Sequence, residues 1–429
     1  MELLAVSSLP APVWFVLFFK VLGFVLHQIF MHLWLVALPL ALVLHWKGCE
    51  QGRRWASRVL RQMPFFITYG VNFGIVPLLF IQLLYPQPFY TATILMAWHW
   101  MLVIVLLIPA YYGVYLYSFG LKKAEAEQSP MPRWRTCCGW LASLLFLGIG
   151  FLFVNALVLT AHPGSWDALW QSKNVAGAAT GLGSAIRDAV LFPRWFLSFG
   201  LAFGTVAAWT LFDRFWLMKD AGEDYAKWTN RFCKILAVTG AVIFTIAWCV
   251  FMFNALPEDA RKGMFSFLCV IPTLLSLAAP IACAVAMFWF TRKTEQSRLF
   301  IGILPAVAQL GSLALVAIFR QILQCHELGE MVPLHEIAVR TEFGPMFLFL
   351  GTFVIGAGVV VWMLTSAAMG ASKDANAVND AEAAISGVDA DAPDAEPATE
   401  TEEADDGDEV ADEDAYEDEV PDDEDEEST

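Results

Sequence analysis

Residues 26–46 read LHQIFMHLWLVALPLALVLHW, an apolar run with only a few polar side chains in it. A helix needs about 20 such residues to cross the hydrocarbon core of a bilayer. Similar runs recur through the first 370 residues. Hydrophobic residues make up 58% of the chain, whereas soluble domains contain roughly 45–50%. The sequence therefore predicts an all-α fold, a polytopic bundle of transmembrane helices.

Nine runs are long enough to span a membrane. They cover 21–46, 63–85, 91–119, 137–161, 192–217, 231–255, 264–291, 298–322 and 345–368. Each should be helical, because lipid offers no hydrogen-bond partner to open backbone groups. The apolar stretch 10–20 is too short to span, and we expect it to lie in the membrane interface before the first run.

The charge is divided unevenly along the chain. Residues 371–429 hold 26 of the 43 acidic residues and one base, Lys373, which gives this segment a formal charge of −25 and leaves +8 on residues 1–370. Such an acidic segment has too little apolar surface to offset the entropy cost of ordering. We predict two parts: a transmembrane domain over 1–370, and a disordered acidic tail over 371–429. The tail is either a docking site for a basic partner or a solvated extension.

The basic residues predict the orientation. Eighteen of the 26 Lys and Arg fall on one set of loops and helix ends, and eight fall on the other. Since cytoplasmic loops carry the excess of basic residues, the N-terminus is expected outside and the C-terminus, with its tail, inside. The loops at about 162–191 and 323–344 are then the long outer loops.

Three histidines in the apolar runs are candidate cofactor ligands. His27 and His32 are five residues apart on the first run, so they point to helix faces about 140° apart and do not share one ion. His99 lies eight residues into the third run and His27 six into the first, which predicts a similar depth for both. Two such histidines can hold a b-type haem from opposite sides. The alternative is that each is a buried histidine bonded to a carbonyl or water, which is favoured for His99 because Trp98 and Trp100 flank it.

Other polar groups in the runs suggest helix packing more than chemistry. Asn72, Gln82, Asn155, Asn254 and Gln309 can each bond between helices. Arg320 is expected to pair with Glu327 or Glu342, or to extend towards the interface. The spacings of Gly200 with Gly204, and of Gly351 with Gly356, favour close helix contact. No motif for nucleotide or hydrolytic chemistry is present, and the eight cysteines form no C-x-x-C pair.

Three runs resemble those of cytochrome bd quinol oxidase subunit I. The first run places His27 at that family's haem-ligand position. Residues 69–85, YGVNFGIVPLLFIQLLY, followed by PQPFYT, are similar to its second span and the aromatic loop after it. Residues 192–209, FPRWFLSFGLAFGTVAAW, resemble its fifth span. Nine spans with this orientation match as well.

The departures from that family limit what the resemblance implies. Trp195, Phe196 and Leu197 occupy the region of the fifth-span haem histidine, the third run has no carboxylate, and the quinol-binding loop is reduced to 256–263. An oxygen-reducing enzyme with three haems is therefore not expected. The resemblance implies a divergent relative in a bacterial inner membrane, with haem b on His27 and His32 or His99 nearby.

Three functions remain open at this point. The first is a membrane subunit that exchanges electrons between quinol and an outer-side cytochrome c or iron–sulfur protein. The second is a haemless structural anchor of such a complex, in keeping with the missing ligands. The third is a transporter, ranked last because few charges lie at mid-membrane. The partners expected are the lipid bilayer and other redox subunits, and no nucleic acid.

Overall fold

The chain folds as a bundle of long helices, as the apolar runs predict. The computed structural model describes residues 8–218, 222–292, 299–360 and 362. In these ranges nine helices are long and apolar enough to cross a membrane. They are α1 Val13–Lys47, α2 Glu50–Leu84, α4 Ala97–Ala126, α5 Arg133–Ala161, α7 Leu191–Leu217, α8 Glu223–Ala255, α10 Val270–Phe290, α11 Phe300–Leu328 and α12 Phe343–Val360.

The remaining regular elements are short and lie in the connections. Three short helices are α3 Pro86–Leu95, α6 Trp166–Lys173 and α9 Glu258–Met264. A two-stranded antiparallel hairpin, β1 Asn174–Val175 with β2 Ala178–Ala179, follows α6. Together α6 and the hairpin build the long connection between α5 and α7.

The first helix is longer than the predicted run. The sequence predicts that residues 10–20 lie separately in the interface, but from Val13 they continue without a break into the apolar run, so α1 has 35 residues. At 1.5 Å per residue it is about 52 Å long, more than the hydrocarbon thickness of about 30 Å. No helix breaker separates Lys20 from Val21, and the side chain of Lys20 forms hydrogen bonds inside the bundle. The helix contains a π-helical turn at Leu33–Ala37.

The third spanning helix begins later than its run. The run starts at residue 91, whereas α4 starts at Ala97, because α3 forms a helix of its own with Pro86 at its start. Proline is favoured in the first turn of a helix, where its missing N–H costs nothing. Met96, with φ −113° and ψ 29°, separates α3 from α4. This shift places His99 in the first turn of α4.

Helices α7 and α8 pack against each other at their glycines. A Cβ on Gly200 would lie 2.6 Å from the backbone nitrogen of Phe244, and one on Gly240 would lie 2.6 Å from the carbonyl oxygen of Gly200. The close contact predicted for Gly200 is therefore confirmed. By contrast, a Cβ added to Gly351 or Gly356 on α12 would have no described atom within 4 Å.

Helix α1 lies centrally, against α2, α7 and α11. Helix α12 lies at the periphery, where none of its residues is buried and Phe349 contacts the ring of Phe19 on α1. The last predicted run continues to 368, and the acidic tail occupies 371–429; both extend beyond the described residues. The division into these two domains and the orientation in the membrane remain predictions.

The close contact of α7 with α8 predicts that one added methyl group lowers the stability of the protein. Gly200→Ala places a Cβ against the backbone of Phe244 and should cost about 1–3 kcal/mol by overpacking, which lowers the thermal unfolding midpoint of the detergent-purified protein. Gly148→Ala is the matched control, because nothing lies within 4 Å of that position. An equal effect of the two substitutions would contradict the packing described here.

Candidate cofactor site and outer ion-pair network

His27 is held by the backbone of α2. Its Nδ1 lies 2.7 Å from the carbonyl oxygen of Gly70. A carbonyl only accepts, so Nδ1 carries the proton and Nε2 carries a lone pair. Gly74, one turn further along α2, makes room for the ring, because a Cβ there would lie 2.8 Å from it. A histidine fixed through Nδ1–H with Nε2 free is in the tautomer that binds a metal ion.

His32 has the same tautomer, but it faces a different helix. Its Nδ1 lies 2.9 Å from the hydroxyl oxygen of Thr205 on α7. Thr205 donates its own hydrogen to the carbonyl oxygen of Leu201 at 3.0 Å, so it accepts from His32. Nε2 of His32 is buried without a partner among the described residues. His32 is therefore also a candidate ligand, although it is fully enclosed.

His99 lies on a different helix from the other two histidines. It lies in the first turn of α4, and its Nδ1 is buried without a partner in the described part of the chain. The sequence predicts an equal depth for His99 and His27 only if the helix of His99 begins at residue 91. Because α4 begins at Ala97, equal depth no longer follows. His27 contacts α2 and His32 contacts α7, which agrees with the predicted angle between them. Within the described ranges, no three His, Cys, Asp or Glu side chains form a metal-binding group.

Lys20 is buried in a polar cluster that the sequence patterns do not predict. Its ammonium group donates to the side-chain oxygens of Gln321, at 2.7 Å, and Gln324, both on α11. It also lies 4.8 Å from the centre of the Tyr85 ring. Gln321 in turn donates to the hydroxyl of Tyr85 at 3.2 Å. Two glutamines three residues apart near the end of an apolar run are a signal for such a cluster, but only the fold shows that Lys20 faces them.

Arg320 makes no ion pair among the described residues. Its guanidinium lies over the ring of Phe24 on α1, with 4.0 Å to the centroid. The expectation that it pairs with Glu327 or Glu342 is wrong, because Arg194 on α7 pairs with Glu327 instead. Lys20 and Arg320 thus place two basic side chains beside α1 with no carboxylate in contact with either among the described residues.

A second network ties the α5–α7 connection to the bundle. His162, just after α5, bonds through Nδ1 to the carboxylate of Asp188 at 2.5 Å. Its Nε2 lies 3.7 Å from the carboxylate of Glu327 at the end of α11, which also pairs with Arg194. These four side chains, which we call the outer ion-pair network, join three helices and the connecting loop.

The network shifts the pKa of His162. Burial disfavours the charged imidazolium, but the hydrogen bond to Asp188 and the nearby carboxylate of Glu327 outweigh this and raise the pKa of His162 to about 9. Burial acts to raise the pKa of Asp188, but its bonds to His162 and to the backbone N–H of Val190 dominate and lower that pKa. At neutral pH the pair is therefore charged on both sides.

The residues around His27 have the donor chemistry that a haem requires. A free Nε2 on a fixed imidazole fits iron, and the basic side chains of Lys20 and Arg320 can donate to the carboxylates that a haem carries. Among the described residues, neither His32 nor His99 forms a hydrogen bond with His27. In the region where the resemblance places another haem ligand, Trp195 packs against Phe151 and Phe199, with ring centroids 5.2 and 5.0 Å apart.

Comparison with known proteins supports the fold. No protein-family model matches the sequence, and no curated protein matches it. Among solved structures, the chain is similar to the bd oxidase from Geobacillus thermodenitrificans, with a TM-score of 0.54 and 11% sequence identity, over 86% of this chain and 99% of that one. At this identity the likeness shows the fold alone: a distant bd-oxidase-like bundle of membrane helices.

The outer ion-pair network predicts that the stability of the folded protein depends on pH. Because the folded-state pKa of His162 lies near 9, above the unfolded value of about 6.5, its contribution to stability is complete below about pH 6.5 and is lost as the pH rises through about 9. Unfolding midpoints measured across this window should fall less in His162→Gln than in the unmodified protein. His335→Gln is the control, since His335 is exposed. An unchanged slope in His162→Gln would contradict the role of the network.

Proposed function

We propose that this chain is the membrane subunit of a quinol-linked electron-transfer complex and holds one b-type haem on His27. The observation that carries the proposal is the state of His27, whose Nδ1–H is fixed by the Gly70 carbonyl and whose Nε2 has a free lone pair. The bd-oxidase-like fold supports it. A complex of this kind belongs in a bacterial inner membrane, the setting that the family resemblance implies.

The residues of the chain would divide the work as follows. His27 would ligate the iron through Nε2, while Gly70 fixes the ring and Gly74 leaves space for it. Lys20 and Arg320 would balance negative charge near the outer end. The haem would supply one-electron transfer between quinol and a partner. His32 and His99 are the alternative ligands, because each has a buried nitrogen without a partner among the described residues.

The outer connection offers a surface for a partner. Between α5 and α7, Val175, Leu182 and Ile186 have exposed fractions of 68%, 51% and 54%, and the outer ion-pair network holds the end of this connection on the bundle. Exposed apolar groups on an ordered loop favour protein contact. We propose that a cytochrome c or an iron–sulfur protein docks here and exchanges electrons with the haem.

A separate observation supports the alternative of a haemless anchor. The aromatic packing of Trp195 with Phe151 and Phe199 fills the region of the missing fifth-span histidine. Combined with the absence of carboxylates from α4 before residue 125, it favours a haemless anchor that keeps the scaffold and binds partners. Transport remains the weakest candidate, because the cations of Lys20 and Arg320 lie towards the outer end and not at mid-membrane.

Substitution of each histidine separates these functions. His27→Ala, expressed in a haem-competent host, should lose the b-type α band from its reduced-minus-oxidised spectrum, because no other described side chain is fixed in the same way beside α2. His32→Ala and His99→Ala should keep most of the band, and His335→Ala, the exposed control, should keep all of it. His27→Gly should regain the band when imidazole is added.

The outcomes are distinct. Full haem absorbance in His27→Ala would contradict the assignment to His27, and loss of the band only in His32→Ala or His99→Ala would move the ligand to that residue. A flat spectrum from well-folded unmodified protein would favour the haemless anchor. The unfolding midpoint of each variant shows whether loss of haem is a consequence of misfolding.

A further inference from the structure

An open groove lies between α2 and α4, and it runs from Arg61 and Lys122 near the inner end of the bundle to Tyr69, next to Gly70. Its volume is about 330 Å³. It is lined by Arg61, Pro64, Phe65, Thr68 and Tyr69 from α2 and by Tyr115, Ser118, Phe119 and Lys122 from α4. The bases lie where both helices reach the side predicted to face the cytoplasm.

The groove carries a positive charge that the described part of the protein does not neutralise. Arg61 pairs with Glu125 at 3.0 Å, in an exposed ion pair. Lys122 makes no ion pair among the described residues. Two bases and one acid leave a net charge of +1 at the mouth of the groove. An exposed pair of this kind contributes little stability, so Arg61 can exchange Glu125 for another anion.

The hydroxyl of a buried serine points to a ligand independently of the charges. Ser118 has 4% of its surface exposed, lines the groove, and makes no hydrogen bond within the described part of the chain. The other hydroxyls are occupied: Thr68 donates to the carbonyl oxygen of Pro64, Tyr111 donates to Thr68, and Tyr115 donates to Tyr111. The hydroxyl of Ser118 is therefore able to donate a hydrogen bond to an oxygen atom of a ligand in the groove.

The walls of the groove are aromatic and face outwards. Phe65 and Phe119 have exposed fractions of 36% and 58%. Phe65 packs on Tyr69, with 4.4 Å between centroids, and Phe119 packs near Tyr115 at 5.9 Å. Aromatic surface beside a basic mouth suits a molecule with an acidic head and apolar chains. A free inorganic anion would not cover this surface.

We propose that this groove binds one anionic phospholipid, with its phosphate held by Arg61, Lys122 and the hydroxyl of Ser118 and its acyl chains against Phe65 and Phe119. Basic pockets between membrane helices on the cytoplasmic side recognise acidic lipid headgroups in general. A zwitterionic lipid is disfavoured, because its ammonium group would face Arg61 and Lys122. The site is separate from the proposed haem site and does not depend on it.

The test is a lipid titration of the delipidated full-length protein in a non-ionic detergent. Phosphatidylglycerol and phosphatidylcholine with the same acyl chains are compared by native mass spectrometry and by the shift in unfolding midpoint. The protein should bind one phosphatidylglycerol in preference. At about 1 kcal/mol per base near the surface, Arg61→Gln with Lys122→Gln should weaken that binding by about tenfold or more.

Matched variants decide the outcome. Arg231→Gln with Lys234→Gln removes the same charge from the inner end of α8 and should leave binding unchanged. Glu125→Gln removes the competing carboxylate and should tighten binding severalfold, which keeps the proposal testable if the double variant at the groove does not fold. Equal loss in both double variants would show a general charge effect and overturn the proposal. So would a Glu125→Gln variant without tighter binding, or full competition by inorganic phosphate alone.

Discussion

A polar side chain inside a membrane helix must find its partner within the protein, because lipid provides none. Three polar side chains of helix α1 meet this constraint through three neighbours. Lys20 donates to Gln321 and Gln324 on α11, His27 donates to the backbone of α2, and His32 donates to Thr205 on α7. These bonds fix the rotation and the height of α1, and through it the arrangement of the helices around it.

The same constraint explains which features could be predicted from the sequence. The long apolar runs specify helices regardless of tertiary context, so nine spanning helices are predicted and are present in the described ranges. The different directions of His27 and His32 follow from helical geometry alone. The partners of Lys20, Arg194 and Arg320 do not, because they lie on helices distant in sequence. Glu327 illustrates this: Arg320 is seven residues away, but Arg194 is the cation that reaches it.

A break between two helices inside one apolar run is a second feature that the sequence does not reveal. The third run is continuous in hydrophobicity from residue 91, so nothing in its composition marks the change from α3 to α4 at Met96. The prolines at 86 and 88 indicate the start of α3 but not its end. The position of His99 relative to His27 depends on this boundary, whereas the glycine contact of α7 depends only on spacing within one helix and is predicted correctly.

The two ends of the bundle differ in what they can bind. The end predicted to lie outside has buried basic side chains, a fixed imidazole with a free nitrogen, and an ion-pair network that holds the loop where a partner is proposed to dock. The inner end has the basic groove proposed to hold a lipid. This division fits a protein that exchanges electrons on one side and is anchored in an acidic leaflet on the other.

The central claim is that the fixed imidazole of His27 holds a haem. The most direct measurement is the haem content of the unmodified protein, purified from a haem-competent host and assayed as the pyridine haemochrome against protein concentration. We expect haem b at about one per chain. Well-folded protein without haem would contradict the claim and leave the chain as a structural anchor.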